Sequence, residues 1–440
     1  MLYSEIINQT ILGNNEIDWN YYHTPIDTTD IFSRQNPTAF IKGYFQNGEK
    51  ALPFMLNAET AHRFINRYFR YGQKASVLDF NYTNPIQLPD DRAIHTTSGF
   101  FLGLLIEHCI NGPQTLSIES LNRYPFSYLW FLTFLYHDYG YCVTERDNPP
   151  IQFPCNAPIP EPHDRNISIR EYSAFSQVKK SLGINLSPFS PYPFPRQSHG
   201  QPSLERALLR EMTQKEYTIQ GGQQLRFSNG NIVRGTRYKS STITRYLNYC
   251  INEFGHVDHG IVGGFLFYDR MLKNYIMAYL SKLEDSNTYI PINDFVYNNR
   301  HFGSEQWKIF SYIADCILSH NIWKQPDDRR YLYEQYQLED LLTENFRSLS
   351  YEDNPLLYIL AVTDSIEPIK IYQQANPALT VQEITNSLNI EFSSGIRTLT
   401  FSSMTNAVNI ELLHRKAKGL KSWTNANCSE LQDGKFTLSF

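Results

Sequence analysis

Residues 125–141 read PFSYLWFLTFLYHDYGY, a nearly unbroken apolar run that ends in His137 and Asp138. Pro125 stands where a helix tolerates proline and Gly140 lies just past the run, so the pattern predicts a buried helix from about Pro125 to Tyr136. That helix delivers His137-Asp138 near its C-terminal end. An imidazole and a carboxylate in apolar surroundings are costly unless they are paired or bound to metal. Adjacent side chains point different ways along a regular helix, so one ion can use both only where the helix ends.

Outward from this stretch the chain continues to read as helix. From Arg92 the sequence runs through HTTSGFFLGLLIEHCI to Asn111-Gly112-Pro113, a second core helix with Gly99 and Gly103 as its weak points. Helical spacing returns at Ser241–Phe254, from His259 to about Leu283, at Ser304–His320 and at Pro355–Gln374, where Pro368 predicts a kink or break. Between them, NPPIQFPCNAPIPEPH and SPFSPYPFPRQSHGQP are too rich in proline for long helices, and EYTIQGGQQLRFSNGNIVRGTRY alternates around turn signals as a hairpin does. The tail reads strand, helix, strand. The expected fold is therefore mainly α: an α-rich lead-in at 1–88, a helical core at 89–375 carrying an insertion over one face at about 147–240, and a small α+β unit at 376–440.

The 440 residues are 41% hydrophobic and 14% aromatic, a globular composition. A formal charge of -5 offers no long-range attraction to polyanions, which argues against a nucleic-acid partner. Six widely spaced cysteines without a Cys-x-x-Cys pair read as reduced core thiols. The N-terminus lacks the basic start and apolar run of a signal peptide, and the apolar stretches Phe100–Ile106 and Tyr128–Tyr136 fall short of the roughly 20 residues a membrane span needs. A cytoplasmic protein without a membrane partner is expected; the aromatic-rich segments permit a homodimer without requiring one.

Six side chains of metal-ligand type sit at or inside the predicted helices: His95, His137, Asp138, His259, His320 and Asp364. Imidazole nitrogens mixed with carboxylate oxygens suit one or two divalent ions (Mn, Fe, Mg, Co, Ni or Zn), and a shared carboxylate can bridge two.

The order and surroundings of these residues resemble the HD-domain superfamily of metal-dependent phosphohydrolases. His95 in RAIHTTSGFFLG matches the family's first His, and His137-Asp138 in LYHDYGY the defining doublet. His259 in HVDHGIVGG and His320 in CILSHNIW match the two further His of two-metal members, with His256 as a competitor for the former; Asp364 in LYILAVTDSIEP matches the distal Asp. The resemblance spans about 90–375 and implies an HD-like helical core. It also implies hydrolysis of a phosphomonoester or phosphodiester, with a small phosphorylated substrate, a nucleotide above all, attacked by metal-activated water. Asp138, His259 and Arg270 would serve the reaction; Arg270 and the further phosphate cations Arg92, Lys370 and Lys324 are named by their position in the chain alone, not by the resemblance. Where the family often has Lys or another polar group, three residues after the doublet Asp, this chain has Tyr141. Two other functions fit the same site: a di-iron oxygenase and a non-catalytic nucleotide sensor.

Blander roles belong to the neighbours. His108, thirteen positions after His95, lies on another helix face and reads as structural. Asp258 reads as the cap of the helix at His259, and Glu367 with Lys370 as an i,i+3 surface pair. The QGGQQ and VGGF stretches lack the Lys-Ser/Thr of a phosphate loop. Tyr136, Tyr139 and Tyr141 flank the doublet as candidate walls of a base pocket.

Overall fold

The computed structural model describes residues 1–6, 55–62, 65, 88, 90–112, 114–120, 123–141, 212–219, 221–236, 240–254, 258–268, 271, 304–322, 330–341, 348–393 and 395–440. The chain is mainly α, as its periodicity predicts. Helices among the described residues include α1 (Asp90–Asn111), α2 (Phe126–His137), α3 (Ser240–Phe254), α4 (His259–Tyr268), α5 (Ser304–Ser319), α6 (Pro355–Ile366), α7 (Pro368–Ala375), α8 (Val381–Ser387) and α9 (Ile410–Gly419). Most of the N-terminal lead-in and all of the proline-rich tracts lie outside the described residues.

Helices α1, α2, α5 and α6 pack on one another and form the core. Glycine sets how closely α1 and α2 approach. A Cβ on Gly99 would fall 2.1 Å from the Phe134 ring and one on Gly103 would fall 2.1 Å from Trp130. The two glycines lie one turn apart on α1, as the two rings do on α2, and they face each other in opposite order; the helices therefore run antiparallel with the rings seated in the glycine notches. Trp130 satisfies its indole N–H on the Phe100 carbonyl at 2.8 Å. Helix α1 is long and apolar enough to span a bilayer, but it is buried inside the fold and reads as a core helix.

Pro368 breaks the predicted long helix in two rather than kinking it. Asn354 caps α6 by accepting from the Leu357 amide at 3.1 Å, and Glu367 both ends α6 and caps α7. In the tail, β1 (Leu388–Ser393), β2 (Thr398–Ser403), β3 (Asn427–Cys428) and β4 (Lys435–Ser439) form an antiparallel sheet in the order β1-β2-β4-β3. The alternation of Leu388, Ile390, Leu399, Phe401, Phe436 and Leu438 gives this sheet a buried face. The first residues of the chain join its edge: Ile390 donates to the Met1 carbonyl at 2.9 Å, and Tyr3 reaches Ser98 on α1 at 3.4 Å.

The segment read as a hairpin is more tightly closed than its sequence pattern predicts. Tyr217 donates its amide to Val233, Val233 to Leu225, and Leu225 back to Tyr217, so three short arms pair around a triangle. All three of these side chains are fully buried. Thr236 then donates twice to Asp315 on α5, at 2.7 and 2.8 Å. This part of the insertion belongs to the core. Among the described cysteines, Cys109, Cys250, Cys316 and Cys428 are free.

Candidate metal centre

Helix α2 ends at His137, and Asp138 is its C-cap, so the doublet falls at a helix terminus where both side chains can turn to one point. His95 comes from α1, Asp364 from α6, His259 from the start of α4, and His320 from the residue after α5. All six sequence-derived ligands converge. His95 Nε2 lies 3.2 Å from His137 Nε2 and 3.2 Å from Asp364 Oδ1; His137 Nε2 lies 3.5 Å from both Asp364 Oδ1 and Asp138 Oδ1. His259 Nε2 is 3.5 Å from Asp138 Oδ1. Two groups have ligand atoms close enough for one ion each, His95-His137-Asp138 and Asp138-His259-His320, and Asp138 belongs to both.

The hydrogen bonds of the imidazoles fix which nitrogen faces inward. His137 Nδ1 lies 2.6 Å from the Phe134 carbonyl and His320 Nδ1 lies 2.6 Å from the Ile317 carbonyl. A carbonyl only accepts, so each ring donates from Nδ1 and presents the lone pair of Nε2 to the centre. His320 Nε2 is buried without any hydrogen-bond partner. Two Nε2 atoms 3.2 Å apart, beside two carboxylates, need a proton or a cation between them. These features fit a divalent ion in each group.

Close glycine contacts shape the second group. A Cβ on Gly260 would lie 2.7 Å from the His320 ring, and one on Gly263 would lie 2.7 Å from the Tyr136 carbonyl. Gly260 and Gly263 therefore let α4 press against α2 and the end of α5. Asp258 caps α4 as predicted, accepting from Gly260 and Ile261 at 2.9 and 3.1 Å.

Two cations border the carboxylates. Arg92 Nη1 contacts Asp138 Oδ2 at 3.2 Å, and its guanidinium lies 4.0 Å above the Tyr141 ring. Tyr141 in turn stacks on His259 at 3.9 Å. Arg92 thus brings to the doublet a positive charge that Tyr141 does not. Lys370 pairs with Asp364 at 2.5 Å. Arg270, Lys324 and His256 lie outside the described residues. His108 sits away from the centre, against Phe392.

The expected surface pair of Glu367 and Lys370 is corrected by this geometry. Glu367 is fully buried and receives His95 and Ser98, while the Lys370 side chain goes to Asp364. The sequence signal for its capping role alone is Glu directly before Pro368: a proline at the first position of a helix makes the preceding residue the N-cap.

Burial works against ionisation of Asp138 and Asp364, yet His137, Lys370 and His95 around Asp138, and Lys370 with the two imidazoles around Asp364, hold both carboxyls well below their usual range. Burial and Lys370 pull His95 down, but its bonds to Asp364 and Glu367 and the charge of Asp138 outweigh them and raise it. Burial, then His137, pushes His320 down to about 4. Between pH 6.5 and 4 the unfolded chain therefore takes up a proton at His320 that the folded chain refuses, and stability falls as pH falls. In chelator-treated protein, we expect the wild type to lose about 1–2 kcal/mol more than His320→Gln between pH 6.5 and 5, by urea denaturation. Parallel curves for the two proteins would refute a buried neutral His320.

No family model, curated protein or solved structure matches this chain.

Proposed function

We propose that this protein is a metal-dependent phosphoric-ester hydrolase with an HD-type helical core, acting on a nucleotide. One observation carries the reading: a single buried carboxylate, Asp138, serves two imidazole groups whose Nε2 lone pairs face a common centre. His95, His137, Asp138 and Asp364 would hold one divalent ion, and Asp138, His259 and His320 a second. Ions held there would supply Lewis acidity toward a phosphoryl oxygen and toward water.

The chain's own residues do the rest. Asp138 aligns the attacking water while Arg92 and Lys370, already at the two carboxylates, draw in the phosphate oxygens and offset their charge. The apolar walls of α1 and α2 keep bulk water from the ligands and strengthen each of these interactions. A nucleotide substrate follows from the resemblance to phosphohydrolases.

The test is elemental analysis of the purified protein, removal of metal by chelation, and restoration with Mn, Mg, Co or Ni during assay on phosphomonoester and phosphodiester nucleotides. Phosphate release should vanish on chelation and return with at least one ion. Protein that retains no divalent ion, or that turns over an organic substrate with iron and O2 instead, overturns the proposal.

A further inference from the structure

The Glu367 carboxylate is fully buried and both of its oxygens are engaged. Its Oε1 accepts from the Ser98 hydroxyl at 2.5 Å and the Ile369 amide at 3.0 Å; its Oε2 accepts from the Lys370 amide at 2.8 Å and lies 3.1 Å from His95 Nδ1. These partners come from α1 and α7, and Glu367 itself follows α6.

The His95 contact differs in kind from those of its neighbours. His137 and His320 turn Nδ1 to a backbone carbonyl, whereas His95 turns it to a carboxylate. A carboxylate behind a ligating imidazole fixes its tautomer and orientation and raises its basicity. The same carboxylate sets the start of α7, from which Lys370 reaches Asp364. One side chain thus controls both the aim of His95 and the placement of the cation on Asp364.

We infer that Glu367 is the positioning residue of the first metal group: through Nδ1 it makes His95 Nε2 a strong donor, and through the α7 cap it places Lys370 against Asp364. This rests on the metal-centre reading above. Gln at this position is the sharpest probe. It keeps the length of Glu but replaces one acceptor oxygen with an NH2, which must face donors already in place, so His95 loses its carboxylate and one partner becomes a clash.

The experiment measures zinc affinity by chelator competition for wild type, Glu367→Gln and Ser98→Ala, with ring 15N spectra of histidine in the zinc-loaded proteins. We expect Glu367→Gln to lose about 10–100-fold in affinity for one ion of the pair, with the second bound as before. Ser98→Ala, which leaves the His95 contact intact, should keep wild-type affinity. In zinc-loaded wild type the His95 ring should carry its proton on Nδ1 with Nε2 unprotonated, a measurement that holds even if Glu367→Gln does not fold. Wild-type affinity in Glu367→Gln, an equal loss in Ser98→Ala, or a His95 proton on Nε2 in zinc-loaded wild type overturns the inference while leaving the metal centre standing. Absence of zinc binding in wild type overturns both.

Discussion

Asp138→Ala is expected to weaken metal binding in both groups together, because no other described ligand belongs to the two at once. His95→Ala should by contrast spare the group of Asp138, His259 and His320. In the proposed reaction, loss of Asp138 should lower metal-dependent phosphate release by about 10²–10³-fold, the usual cost of removing one preorganised charge-stabilising group. The substitution also removes the anion that Arg92 meets at 3.2 Å and that the imidazoles surround. The metal-free protein should therefore lose about 3–5 kcal/mol, as when one partner of a buried pair is deleted. Metal content per chain and urea midpoints measure the two effects separately. An Asp138→Ala protein that still holds two ions would remove the basis for a shared carboxylate.

Gly140→Ala is the second large effect, and it arises without any change in ligand chemistry. A Cβ there would lie 2.0 Å from the His259 carbonyl oxygen and under 3 Å from two more of its backbone atoms. Backbone cannot swing aside as a side chain can, so relief requires α4 to move away from α2. Overpacking of this kind costs about 1–3 kcal/mol, and more where nothing yields. The first displaced group is His259, which lies against Asp138 and Tyr141. The expected variant is folded, less stable, and holds one ion in place of two, with His95 and His137 still occupied. Full occupancy of both groups, measured by elemental analysis, would show that α4 does not depend on that contact.

The candidate centre was largely legible in the sequence because burying a polar group leaves a mark. His137-Asp138, His320 and Asp364 stand in apolar runs, and each run predicts a core helix that the structure contains. The break at Pro368 and the cap at Asp258 were also legible, since both follow from backbone chemistry local to the residue. Glu367 was not. Spacing alone pairs it with Lys370, and only the fold shows Ser98 and His95, from a helix some 270 positions away, arriving at its oxygens. The closed triangle of Tyr217, Leu225 and Val233 was hidden for a similar reason: alternation predicts strands but does not say that the third arm returns to the first.

The glycine contacts around α4 bear on how tolerance to change should be distributed across this chain. Gly140, Gly260 and Gly263 have no side chain to donate, accept or carry charge, yet each occupies a point where even one methyl group collides with the frame that carries the ligands. A saturation scan would accordingly score them as severely as the histidines. The outline of intolerant positions would trace the mould of the centre as well as its chemistry, and only a direct count of bound ions would tell the two apart.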